Sequence, residues 1–216
     1  MNFELLHATD SQGRYVKTSE RKELIREIRN YSQKNGEAPL AVPVVHLVLI
    51  NSDGNLHLVQ RGDKPENPFM WDKTVGGHVV TEERQLSRHS FDENVQKEMA
   101  EEIGVSQVVI AKDSLDFRQR LASNQHDLSQ TAVIRLIDYD PWMGSVCRMK
   151  EGVSWLKRGN TAVYCGVYDG EIRFVDGEAV NHRLISKAQL QAELREQPWN
   201  YADGLRIFMQ RYYAFL

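Results

Sequence analysis

The segment Lys97-Glu98-Met99-Ala100-Glu101-Glu102-Ile103-Gly104-Val105 constrains this chain more than any other, because it loads one side of a short amphipathic helix with three carboxylates and then stops it at a glycine. At about 100° per residue, Val95, Met99 and Ile103 form an apolar stripe, and Glu98, Glu101 and Glu102 fall within an arc of about 120° beside it. The acids therefore border the buried face and do not stand opposite it. Glu98 is three residues from Glu101 and four from Glu102, spacings at which like charges repel by roughly 0.2–0.5 kcal/mol per pair. Glu101 and Glu102 also occupy the last turn, where the negative end of the helix dipole disfavours anions. A solvated face would interleave Lys or Arg there. An acidic surface patch is one reading of the cluster; a cation that offsets the repulsion is the other. Oxygen ligands alone at this density suit Mg²⁺ or Mn²⁺, hard ions that also bind phosphates.

Such a helix needs a body to stand on. With 216 residues, 41% of them hydrophobic, the chain is long enough for one globular domain with a substantial core and cramped for two. A formal net charge of −3, with no basic arm or Lys/Arg block, argues against general nucleic-acid or membrane-surface binding and leaves small anions as partners for local basic residues. The two cysteines, Cys147 and Cys165, form no CxxC and have no His at metal-site spacing, so a reducing, cytoplasmic location is expected. The N-terminus lacks a basic region followed by an apolar run, and no stretch reaches the ~18 apolar residues of a membrane span, which predicts a soluble, unprocessed protein.

Periodicity places the elements around the helix. Residues 19–35 read as an amphipathic helix with Ser19 as N-cap, Leu24, Ile25, Ile28 and Tyr31 as stripe, and Gly36 as its stop. Val42 to Ile50, the turn Asn51-Ser52-Asp53-Gly54 and Asn55 to Gln60 predict a β-hairpin. A strand from about Asp72 to Val80 is interrupted at Gly76-Gly77; Thr81 to Ser90 is polar without a period, and the acidic helix is expected from Phe91 or Asp92 to Ile103. Thr131 to Ile137 and Ala162 to Tyr168 read as strands, the second joined through Asp169-Gly170-Glu171 to another at Ile172 to Val175, with Arg183 to Ile185 as the last. Ser186 caps a helix through Leu194, and Tyr201 to Phe215 carries a terminal helix with Leu205, Phe208, Met209 and Tyr212 as its core stripe. Residues 138–160 read as a polar loop carrying Trp142 and Trp155. This order of elements predicts a mixed sheet between helical layers.

With Gly77 and Glu83 upstream, the acidic helix resembles the Nudix box: glycine, five residues, glutamate, seven residues, then R-E-U-x-E-E-x-G-U with U aliphatic. Lys97 to Val105 matches the second half with Lys in place of Arg, and Asn51 to Gly54, Gln60-Arg61, Trp71-Asp72 and Val75-Gly76-Gly77-His78-Val79 resemble the isopentenyl-diphosphate-isomerase-like branch. The resemblance covers roughly residues 20–195. It implies an α/β fold, a Nudix-type α/β/α sandwich with a mixed β-sheet, as a single domain over residues 1–216 with an N-terminal helical extension and an insertion near 81–90. Two departures stand out. Gly77 to Lys97 is six residues longer than the family spacing, a loop insertion that is cheap to close. Lys97 also keeps the charge of the family's Arg without its bidentate fork, which loosens the expected pairing with Glu83.

The resemblance implies hydrolysis of a diphosphate linkage in a nucleoside-diphosphate-linked or related small molecule, with Mg²⁺ (or Mn²⁺) as cofactor. Glu98, Glu101 and Glu102 are the expected catalytic metal ligands, joined by the carbonyl of Gly77. Arg61, Lys64 and His78 are candidate substrate contacts, each with a plain structural alternative as a loop charge or a locally bonded strand-end histidine. Family members often add a later Glu, for which Glu151 and Glu178 are available, and a homodimer is a family-based expectation. Two rivals remain. One is an isopentenyl-diphosphate-type isomerase, disfavoured because no Cys stands near Gly76-Gly77-His78. The other is a Nudix-fold sensor that binds a nucleotide without cleaving it.

Overall fold

The structure, a computed structural model, describes residues 4–80 and 86–216. Leu5–Thr9 (β1) and Tyr15–Glu20 (β2) pair antiparallel, and the helix Arg21–Asn35 (α1) follows without a loop. Glu20, not Ser19, caps α1, its side chain accepting from the Glu23 backbone N–H at 3.0 Å, because Ser19 is taken up in β2. Gly36 ends the helix at φ 77°, a left-handed conformation that costs glycine nothing. The N-terminal segment is thus a hairpin as well as a helix.

Ala41–Ile50 (β3) is apolar on both faces, as a strand buried on both sides must be. Val45, Leu47 and Leu49 enter one core cluster with Met99 and Ile103, while Val48 enters another with Leu205 and Phe208. The expected hairpin partner, Asn55–Arg61 (β4), follows the turn but pairs with β3 only at Ile50–Leu56. Beyond that point the two strands splay. Two short strands fill the wedge where one longer strand was expected: Trp71–Asp72 (β5) pairs with β4, and Val75–His78 (β6) pairs antiparallel with β3 at residues 44–47.

The acidic helix, Arg88–Ile103 (α2), begins three residues before the expected start. Ser87 and Ser90 form a reciprocal capping box, and Phe91 and Val95 extend the apolar stripe towards it. Glu83 and residues 81–85 of the expected insertion lie outside the described residues. Gln107–Ala111 (β7) and Ser114–Ala122 (α3), neither foreseen, follow, with Asp113 capping α3. Residues 138–160, read above as loop, belong to two long paired strands, Thr131–Cys147 (β8) and Trp155–Val167 (β9). Register shifts near residues 137 and 141 break the alternation, and Asp138 and Asp140 bond outward to Tyr212 and Arg211, which gives a strand the composition of a loop. Trp155, 2% exposed, packs with Leu6, Leu24 and Ile28 beneath α1.

Ile172 to Val175 is not a strand: Ile172 is buried in the first cluster, and the Arg173 N–H bonds the Ile103 carbonyl at the end of α2. Ala179–Ser186 (β10) pairs with β4, Ser186 caps Lys187–Glu196 (α4) as expected, and Asp203–Tyr212 (α5) buries Leu205, Phe208, Met209 and Tyr212. The sheet runs β10-β4-β3-β9-β8-β7, parallel at β3–β9 and β7–β8 and antiparallel elsewhere along this path. α2 packs on one face, and α4 and α5 on the other. This is an α/β/α sandwich with a mixed sheet. Among the described residues no helix is long and apolar enough to cross a membrane.

One buried polar cluster ties stability to pH. His57, on β4 and 2% exposed, donates from Nε2 to the Tyr168 carbonyl at 2.9 Å, so its Nδ1 accepts from His182 Nε2 at 3.0 Å. Burial pushes its pKa down to about 4. A folded value below the unfolded one of about 6.5 means that its contribution is fully present above pH 6.5 and is lost as pH falls towards 4, by up to about 1.4 kcal/mol per pH unit. Urea unfolding from pH 7 to 4 is therefore expected to show a shallower decline in His57→Asn than in the wild type. Parallel declines would remove His57 from the account.

Candidate active site

The wedge between β3 and β4 becomes a cavity of 350 Å³ because β6 is built of glycines. A Cβ on Gly77 would run into the Glu98 carboxylate, and one on Gly76 would meet Lys73 Cε at 2.5 Å. The bare backbone therefore lets α2 lay its acids directly on the strand. Glu102 Oε2 accepts from the Gly76 N–H at 3.2 Å, and Glu98 Oε1 lies 3.5 Å from Asn94 Nδ2. Glu101 turns the other way: its side chain is 55% exposed, against 12% for Glu98, and pairs with Lys97 at 3.3 Å.

Two half-buried carboxylates on one backbone are under electrostatic stress. Burial, and then the neighbouring Glu98 charge, pushes the Glu102 carboxyl up to about 8, against the favourable Gly76 N–H. Burial also raises Glu98, with Lys97 pulling the other way. The cations of the cavity stand on its other walls. Lys73, bonded to Asp72 at 3.4 Å, Arg61, 3.6 Å from Asp72, and Lys157, whose Nζ donates to His78 Nε2 at 3.0 Å, all line it. Burial and the Lys157 charge keep His78 neutral, so this strand-end histidine serves as an acceptor.

Of the residues expected from sequence, Gly77, His78, Glu98, Glu101, Glu102 and Arg61 line the cavity; Lys64 lies outside it, in an adjoining groove. Glu178 lines it and pairs with Lys64 at 2.8 Å, whereas Glu151 is an exposed turn residue away from it. Cys147, distant in sequence, also lines the cavity, its thiol pushed up to about 12 by burial. Lys73, Lys157 and Arg21 are the lining cations that sequence reasoning missed. Lys73 sits inside a segment already singled out, three residues before Gly76, but Lys157 carries no local signal at all.

No family model matches the chain, and no curated protein matches it. Among solved structures, DR0079 from Deinococcus radiodurans is similar over 97% of this chain and 99% of its own, at 17% identity and a TM-score of 0.56. The chain is also similar to the Nudix domain of NrtR from Shewanella oneidensis in complex with ADP ribose, at 15% identity over 91% of this chain and 99% of that one, with a TM-score of 0.48. A MutT protein from Methanosarcina mazei Go1 is similar at 18% identity over 80% and 92%, with a TM-score of 0.46. What is shared with DR0079 at that identity is the fold.

In this fold the acidic helix and the glycine strand are brought face to face, and the donor set decides whether a divalent cation suits them. Glu98 and Glu102 offer only oxygen, repel one another and, among the described residues, have no lysine or arginine closer than the 3.9 Å of Lys97, which fits a hard cation. Among the described residues no three His, Cys, Asp or Glu side chains are gathered tightly enough to hold a metal by themselves. A Mg²⁺ site that takes one or two carboxylates and completes its shell with water and phosphate oxygens needs no such cage.

Proposed function

We propose that this protein has the Nudix fold and is a Mg²⁺- or Mn²⁺-dependent hydrolase of a diphosphate linkage in a nucleoside-diphosphate-linked or related small molecule. The observation that carries the reading is the pair of half-buried carboxylates, Glu98 and Glu102, set against Gly76-Gly77 in a cavity whose other walls carry Lys73, Lys157 and Arg61. Neither charge set alone would suggest it, since a bare anion would be repelled by the acids and a bare cation by the bases. A metal-bound diphosphate satisfies both. Glu98 and Glu102, with Glu101 at the rim and Gly77 beside them, would hold the ion. When bound, the ion neutralises phosphate oxygens and lowers the pKa of a water that attacks phosphorus. Lys73 and Lys157 orient the diphosphate, and the Asp72 and His78 contacts hold those two amines in place.

The test is product release from nucleoside diphosphate sugars, dinucleotides, nucleoside triphosphates and prenyl diphosphates with Mg²⁺ and with chelator. Turnover that needs Mg²⁺ and is lost in Glu98→Gln and Glu102→Gln supports the reading. Binding without product across the panel would instead mark a sensor.

One observation favours a second reading, isomerisation of an allylic diphosphate. Cys147 lines the cavity with Glu66 beside it, a neutral thiol and an acid in one place. Isomerisation of isopentenyl diphosphate that disappears in Cys147→Ser would replace the first reading with this one.

A further inference from the structure

A second concavity, of 410 Å³, adjoins the cavity and shares Arg21, Arg61, Glu66, His78, Lys157 and Glu178 with it. One wall is α1 and the other is the loop after β4, with Lys64 and Pro65. On α1 the residues sort onto three faces at about 100° per residue. Leu24, Ile28 and Ser32 are buried, Glu23 and Glu27 lie on a flank, and Lys22, Arg26 and Arg29 share an arc about 60° wide that lines the groove. Among the described residues none of these three cations has an ion-pair partner, whereas Lys17, Arg21 and Lys64 are paired with Glu27, Glu4 and Glu178. Like charges at i, i+3 and i, i+4 repel, so a helix that keeps three together gains when an anion binds between them.

Resting on the diphosphate-hydrolase reading, we propose that the substrate carries a further phosphate beyond the scissile diphosphate, and that Lys22, Arg26 and Arg29 bind it in this groove. Guanidinium groups match phosphate oxygens bidentately, and Ile25 and Pro65 give the groove an apolar wall for the body of the ligand between its two charged ends. The groove is bounded and leads into the cavity, and the chain as a whole is acidic, with a net charge of −3. That suits a small polyphosphorylated molecule better than a polynucleotide, which needs a cationic track.

Two measurements test this separately from hydrolysis itself. First, inorganic tripolyphosphate is titrated by calorimetry, without metal, into the full chain, into Arg26→Ala/Arg29→Ala and into a charge-matched control on and just before α3, Lys112→Ala/Arg118→Ala. The α1 variant is expected to bind at least ten times more weakly than the control; equal binding in the two overturns the proposal. Second, kcat/KM is compared within two substrate pairs, ADP-ribose against its 2′-phosphate, and diadenosine diphosphate against the pentaphosphate. The first pair reports a phosphomonoester and the second a longer chain. The wild type is expected to prefer the more phosphorylated member of at least one pair tenfold or more, and Arg26→Ala/Arg29→Ala to lose that preference. No preference in either pair, or one that the variant keeps, overturns the proposal. Should nothing be hydrolysed, the diphosphatase reading fails by itself, and the tripolyphosphate titration still decides the groove.

Discussion

Glu102→Gln is expected to lower metal-supported turnover by at least about 10²-fold, the upper end of what losing an outer-shell partner of a metal ligand costs, while making the metal-free protein more stable at alkaline pH. The two effects share one cause. Glu102 is held near Glu98 and the Gly76 backbone with its carboxyl pushed up to about 8, chiefly by burial. Its folded pKa lies above the unfolded value of about 4.5, so its favourable contribution is complete below pH 4.5 and is lost as pH rises through 8, by up to about 1.4 kcal/mol per pH unit. Gln carries no charge at any pH and still offers an oxygen to the Gly76 N–H. Thermal or urea unfolding in chelator should therefore give curves that converge near pH 5 and separate by pH 9, with the variant more stable. Mg²⁺ at about 100 times its Kd would then stabilise the wild type by about 2.7 kcal/mol and the variant by less. Coincident curves at pH 9 would show that Glu102 is solvated and contradict the strained-pair account.

How far the sequence could be read depends on how local the determining interactions are. The acidic helix, its glycine stop, β3 with apolar residues on both faces, and the Gly36 and Ser186 caps each depend on residues within a turn or two of themselves, and their pattern survives inspection of one chain. The long β8–β9 pair does not. Its register shifts and its outward Asp138 and Asp140 make sense only once Tyr212 and Arg211 of α5 are opposite. The same holds for the site. Glu98 and Glu102 announce themselves by mutual repulsion, and the i,i+4 spacing of Lys97 and Glu101 allows the pair that draws Glu101 outward, but that Glu102 rather than Glu101 meets the Gly76 backbone appears only once β6 is in place. Lys157 is a strand residue in a polar segment, and it becomes a cavity cation only because β9 runs beside β3 and faces His78. The α1 cations needed one more step: the face they share is visible in the sequence, but the groove it lines exists only after α1 packs over Trp155.

Gly77→Ala tests the contact on which the candidate site is built. The new methyl would occupy the place of the Glu98 carboxylate, so either the carboxylate swings away or α2 lifts from β6. The colliding atoms end a flexible side chain, so the stability cost should sit near the lower end of the about 1–3 kcal/mol of overpacking, whereas displacing a reacting group by about 1 Å can cost about 10²-fold in rate. Both losses should appear in the single variant, as a lower unfolding midpoint and slower Mg²⁺-supported turnover. The decisive comparison is the double-mutant cycle with Glu98→Ala, which removes the colliding carboxylate. In that background the methyl's three nearest contacts, all with the Glu98 carboxyl group, are gone, and its cost should shrink, giving a coupling of about 0.5–3 kcal/mol. A purely conformational role for Gly77 predicts the opposite: the same destabilisation with or without Glu98. Because Gly77 has no left-handed backbone to explain its identity, additivity in this cycle would leave the glycine unexplained and detach the acidic helix from the strand it faces.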